Sequence, residues 1–118
     1  MNKFDIHEPQ RELQGATLAD VLLEPHANYV TPIRRARDAH IPIKGMAHIT
    51  GGGLIENTPR ILPQGLGAVI DRTTWAPQRI FTWLQQLGHI PDEEMHRVFN
   101  MGVGLVVIAP RGHHAPLA

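Results

Sequence analysis

The sequence has no cysteine. That excludes disulfides, iron–sulfur clusters and thiol nucleophiles, and it fits a reducing compartment. It has no excess of charge: 11 Lys plus Arg stand against 11 Asp plus Glu. A nucleic-acid binder normally carries a basic surplus, so that class is set aside. It has no long apolar run; "MGVGLVVIAP" is the longest uncharged one, about half of the roughly 20 residues a membrane helix needs. The opening "MNKFDIHEPQ" is charged and lacks the apolar centre of a secretory signal. Together these absences point to a cytoplasmic protein with no nucleic-acid or membrane partner. Aromatic residues are few, with three Phe, two Trp and one Tyr, so the core must be mainly aliphatic.

What is present suits one domain. The chain has 118 residues, 42% hydrophobic and 19% charged, enough for a real core but not for two ordinary domains. Residues 1–16 are polar, include Pro9 and Gly15, and read as a flexible arm or linker. In "TLADVLLEP", Thr17 is the N-cap of a short helix, with Asp20 as the acid of a capping box. In "YVTPIRRARDAHIP", Thr31 caps a second helix and Pro32 takes its first position. Pro42 ends that helix near His40. "IKGMAHIT" alternates as a strand, with Ile43, Gly45, Ala47 and Ile49 on one face and Lys44, Met46, His48 and Thr50 on the other.

A helix interrupted at Pro59 follows, then a short strand "LGAVID". "PQRIFTWLQQLG" is the clearest helix: Pro77 opens it, Ile80, Phe81, Leu84 and Leu87 share a face, and Gly88 is the C′ residue. "PDEEMHRVF" begins another, with Asp92, Glu93 and Glu94 near the positive end of its dipole. "GLVVIA" reads as a buried closing strand, and residues 111–118 as a disordered tail. Helices alternating with strands predict an α/β domain over 17–110, a small mixed sheet packed with helices.

The costly feature is Gly51-Gly52-Gly53, set between a strand and a helix start. Backbone N–H groups without Cβ atoms around them can approach an anion, and the first N–H groups of a helix lack internal partners. A phosphate is the natural guest; a tight turn with close helix–sheet packing explains the same glycines. The familiar phosphate motifs do not fit. No Lys-Ser/Thr follows Gly53, and Gly102 and Gly104 precede a strand instead of following one.

The blocks "LLEPHANYVTPI", "KGMAHITGGGLIENTPRILPQGLGAVID", "WLQQLG" and "DEEMHRVFNMGVGLVVI" resemble the C-terminal domain of the phosphoribosylformylglycinamidine cyclo-ligase (AIR synthetase) family, from about Thr17 to Ile108. The resemblance implies a ligase of purine biosynthesis. ATP activates the amide oxygen of formylglycinamidine ribonucleotide, and ring closure gives aminoimidazole ribonucleotide. It implies that the glycine loop lies in a cleft between two domains. Thr50, Gly51, Gly52 and Gly53 match the family's loop and are candidates for ligand-phosphate contacts. His48 matches the histidine just before that loop and is the candidate proton carrier, since a neutral imidazole can carry a proton near pH 7. Asn57, Arg60 and Asn100 match further family positions.

ATP and Mg2+ are implied as cofactors held mainly by the family's N-terminal domain, which this chain is expected to lack along with the family's final helix and strand. The expected partners are the ribonucleotide substrate, a separate N-terminal ATP-binding half and a second copy in a homo-oligomer. The alternative is a non-catalytic binding or assembly module that kept the fold. A second rival is a related ATP-using enzyme such as selenophosphate synthetase or thiamine-monophosphate kinase; the length of the "GMAHITGGG" to "ENTPR" match argues against it.

Other clusters have plainer readings. His113 and His114 are adjacent on the tail, point apart and lack carboxylate support, so no metal is expected there. Arg34, Arg35 and Arg37 form a solvated stripe, Asp92 to Glu94 serve a helix terminus, and Trp75 and Trp83 pack.

Overall fold

The computed structural model describes residues 5–112. The elements run α1 (Leu18–Leu22), α2 (Val30–Asp38), β1 (Gly45–His48), α3 (Gly53–Asn57), α4 (Arg79–Gly88), α5 (Asp92–Val98) and β2 (Leu105–Ile108). Short 3-10 turns lie at Arg11–Leu13, Thr58–Ile61 and Arg72–Thr74. The class is α/β, as the pattern predicts.

β1 and β2 pair antiparallel, with Gly45 opposite Ile108 and His48 opposite Leu105. Among the described residues the sheet holds these two strands, so the expected mixed sheet is an antiparallel ladder. "LGAVID" is not a strand. Among the described residues, no backbone group of residues 67–70 makes a hydrogen bond to another backbone group, and Val69 is fully exposed. Apolar content alone does not make a strand; a partner that satisfies the N–H and C=O groups does. β2 itself is half-buried along its length, not fully covered.

Local chemistry sets the helix ends. At α1 the capping box forms as read: Thr17 Oγ1 accepts from the Asp20 N–H at 3.0 Å, and the Asp20 carboxylate accepts from the Thr17 N–H at 3.2 Å. Its hydrogen bonds to Thr17 hold the Asp20 carboxyl below the usual carboxylate range. α2 starts before Thr31, because the Asn28 carboxamide oxygen accepts from the Val30 N–H at 2.9 Å and turns the chain there.

α2 closes with His40 in the left-handed region at φ 56. Ile41 N–H donates to the Ala36 carbonyl and His40 N–H to that of Arg37, both at 2.9 Å, the paired bonds of a Schellman ending. α4 starts at Arg79, later than Pro77, and ends the same way. His89 at φ 49, not Gly88, takes the left-handed position. Gly88 is small for another reason: a Cβ there would lie 2.8 Å from Ile90 Cγ1.

Two apolar clusters form. Leu13, Ile80 and Trp83 are buried together, with Leu18, Val21, Phe81 and Leu84 against them. Residues 5–16, expected as a loose arm, are therefore anchored through Leu13, and Gln10 N–H donates to the Ala16 carbonyl at 3.0 Å. Leu87, expected to face inward, is exposed; Trp83 takes that side of α4. The second cluster joins Ala47, Ile49 and Leu54, with Trp75, Val103 and Val106 packed on it. The body is elongated. Its radius of gyration is 16.9 Å, against roughly 13–14 Å for a compact chain of this length.

Candidate functional site

Strand alternation creates the site. Ala47 and Ile49 point into the second cluster, so His48 and Thr50 take the opposite, exposed face. The chain then turns through three glycines, and each does a different thing. Gly51 is exposed, and a Cβ there would meet nothing within 4 Å. Gly52 caps α3 at φ 95, beneath the Glu56 side chain. Gly53, at φ 56, is buried against the end of α5; a Cβ there would overlap the His96 carbonyl oxygen and lie 2.7 Å from that of Phe99. Its N–H is already used, donating to the Thr50 carbonyl at 3.0 Å. The N–H groups of Gly51 and Gly52 make no such bond among the described residues.

Asn57 holds this loop from within. It is buried, and its Nδ2 donates to the carbonyls of Gly53 at 2.8 Å, Gly51 at 3.2 Å and Thr50 at 3.4 Å. Its carboxamide thus faces the backbone of the loop. Arg60 sits exposed on the 3-10 turn, outside the groove described next.

An open groove of about 400 Å³ runs along the exposed side of the loop. His26, His48, Thr50, Gly51 and Asn100 line it with polar groups, while Ile49, Phe81, Val98 and Phe99 supply an apolar wall. Its volume falls within the roughly 300–1,000 Å³ of small-molecule sites. The Asn100 side-chain oxygen accepts from the Gly102 N–H at 3.0 Å, which fixes its turn beside the groove. Among the described residues no carboxylate lines it; Glu56, over Gly52, is the acid nearest the loop in sequence. Of the residues singled out from sequence, the groove therefore brings together His48, Thr50, Gly51 and Asn100, with Gly52, Gly53 and Asn57 behind them.

Sequence reasoning missed His26 and Tyr29. They lie in the loop between α1 and α2, where no periodicity marks them. Their partner Gly104 left a trace, as a glycine in "FNMGVG" with no phosphate role: a Cβ on it would overlap the Tyr29 hydroxyl.

On another face, Arg72 Nη1 donates to Asp92 Oδ2 at 2.6 Å and lies 3.3 Å from the His96 ring nitrogens. This hydrogen bond holds the Asp92 carboxyl below its ordinary range. It ties the Arg72–Thr74 turn to α5. Trp75 packs, with its Nε1–H donating to the Met101 carbonyl at 3.0 Å. No three His, Asp or Glu side chains converge on a possible metal site among the described residues. His113 and His114 lie outside the described residues.

Comparison with known proteins places this geometry. The chain is 51% identical over 100 residues to the phosphoribosylformylglycinamidine cyclo-ligase of Nitrosospira multiformis, covering 84% of this chain and 28% of that protein. It is 48% identical over 101 residues to the enzyme of the same name from Bordetella pertussis, covering 85% and 29%. For that of Cupriavidus pinatubonensis the identity is 49% over 100 residues, covering 85% and 28%. The chain thus spans less than a third of the length of these relatives, and it matches their C-terminal portion. Residues 2–115 match the family described as AIR synthase related protein, C-terminal domain, and the chain belongs to that family.

Proposed function

We propose that this chain forms one wall of the substrate cleft of a phosphoribosylformylglycinamidine cyclo-ligase, which closes the imidazole ring of its ribonucleotide product at the expense of ATP. The observation that carries this reading is the groove itself. His48, Thr50, Gly51 and Asn100 meet there beside two glycine N–H groups that have no backbone partner among the described residues, in a member of this family. The Gly51 N–H, without a backbone partner among the described residues, suits a phosphate oxygen because the space beside it is open; the Gly52 N–H joins it once the Glu56 side chain above swings aside. The His48 imidazole, on the solvent side of β1, is placed to carry a proton released during ring closure. Asn57 keeps the loop carbonyls turned inward, so that the loop presents donors to a ligand.

ATP supplies the phosphoryl group that activates the amide oxygen. In this reading, as the family resemblance implies, ATP and Mg2+ are held mainly by the remaining portion of the relatives' length. The test is reconstitution. The chain alone should not cyclise formylglycinamidine ribonucleotide with ATP; mixed with the N-terminal portion of the Nitrosospira multiformis relative, it should. His48→Ala should then lower kcat by about 10²–10⁴, the usual worth of a general acid or base. No cyclisation with a well-folded partner would instead favour a non-catalytic assembly module.

A further inference from the structure

The α1–α2 loop adds an aromatic cluster to the groove. The His26 and His48 rings meet edge to face, with centroids 5.3 Å apart and planes at 79°. Tyr29 closes the group, 5.5 Å from His26 and 6.4 Å from His48. Gly104 is the seat of this cluster: a Cβ on it would lie 2.9 Å from Tyr29 Cζ and 3.3 Å from His26 Cε1. Gly104 is buried, and its carbonyl accepts from the Ile49 N–H at 2.9 Å, so the seat is tied to the chain just past His48. The loop is also braced locally, since Asn28 holds the Val30 N–H.

The next residue engages one ring nitrogen of His26. Its Nδ1 lies 2.9 Å from the Ala27 carbonyl oxygen, which can only accept, so Nδ1 carries a proton. Nε2 is left as the free nitrogen of an exposed ring that lines the groove. In the neutral ring that nitrogen is an acceptor, matched to a hydroxyl donor.

We propose that His26 is a second ligand-contacting imidazole, which accepts a hydrogen bond from a sugar hydroxyl of a pentose phosphate, and that Tyr29 on Gly104 is the positioning residue for both histidines. This rests on the reading above that the loop holds the ligand's phosphate. The loop takes the phosphate end, and His26 reads the sugar. Tyr29 acts through its ring, because its hydroxyl makes no hydrogen bond among the described residues.

The experiment is NMR titration of the isotope-labelled chain with inorganic phosphate and with ribose 5-phosphate, following the amides of residues 48–52 and the histidine ring signals. The wild-type chain should bind ribose 5-phosphate roughly fivefold more tightly than phosphate, the worth of about one net hydrogen bond. His26→Ala should abolish that preference and leave phosphate binding unchanged. Tyr29→Ala should shift the His48 ring signals and reduce the preference, and Tyr29→Phe should restore both. Gly104→Ala should do as Tyr29→Ala does; if it fails to fold, the Tyr29 pair decides. A preference that survives His26→Ala, or is absent from the wild-type chain while phosphate binds, overturns the inference and leaves the phosphate reading standing. No response to either probe removes both.

Discussion

Replacing the loop glycines one at a time separates ligand binding from packing, and Gly53→Ala is the decisive case. At φ 56 an alanine is strained, by about 1–2 kcal/mol. The greater penalty comes from overlap of its Cβ with the carbonyl oxygens of His96 and Phe99. Both are backbone atoms, so no rotamer change relieves the clash, and α3 must move away from α5. Overpacking of this kind costs about 1–3 kcal/mol. The sum, about 2–5 kcal/mol, is a large share of the roughly 5–15 kcal/mol that holds an ordinary domain together. Thermal unfolding followed by circular dichroism should therefore show Tm lowered by about 10–20 °C.

Gly51→Ala is the control. Its Cβ meets nothing, and its φ is not left-handed, so its stability should stay within the range of a neutral surface change, about 0.5 kcal/mol. Gly52→Ala should fall between the two. Its φ of 95 is strained, but the atoms it would meet belong to the Glu56 side chain, which can move. A Gly53→Ala chain that melts with the wild type would refute this, as would a Gly51→Ala chain destabilised as much as Gly53→Ala.

Asn57→Ala should cost about 1–3 kcal/mol in urea unfolding, because it leaves carbonyls buried behind the loop without their donor; Asn57→Asp should be no better, since it offers those carbonyls an acceptor. Asp92 should titrate below an ordinary aspartate because it accepts from Arg72. Its stabilising contribution is then present above the ordinary carboxylate pKa and lost as pH falls through the depressed folded value, and Arg72→Ala should raise the Asp92 pKa in an NMR titration. The chain should self-associate in sedimentation. Leu66, Val69 and Ile70 are exposed beside an apolar groove that reaches Val106 and Ile108 of β2, and a two-stranded sheet leaves edges unpaired. A single monomeric species over a wide concentration range would count against this.

Features whose causes are local in sequence were legible. The Thr17–Asp20 capping box, the alternation that puts His48 and Thr50 on one face, and the acids at the start of α5 each depend on residues within a few positions of one another. Features caused by contacts across the chain were not. Gly88 looks like a C′ glycine until Ile90 is seen folding back on it. "LGAVID" has the composition of a strand, but a strand exists only with a partner, and composition does not say whether a partner is near. Leu13 lies in a polar stretch without periodicity, so nothing local announces that it joins Ile80 and Trp83.

The candidate site divides along the same line. His48, Thr50 and the glycines are contiguous in sequence, and strand alternation plus a turn is enough to bring them to one place. His26 and Tyr29 come from a loop about 20 residues earlier, and Gly104 from one about 50 residues later. What unites them is a buried backbone surface on which a tyrosine ring can rest. A glycine run read from sequence therefore mixes two physical roles that only packing separates. Gly53 and Gly104 are bare because protein atoms occupy the space of a Cβ, and Gly51 is bare with that space left open to a ligand. That difference is the physical ground for looking for a bound phosphate at Gly51 and for structural damage at Gly53.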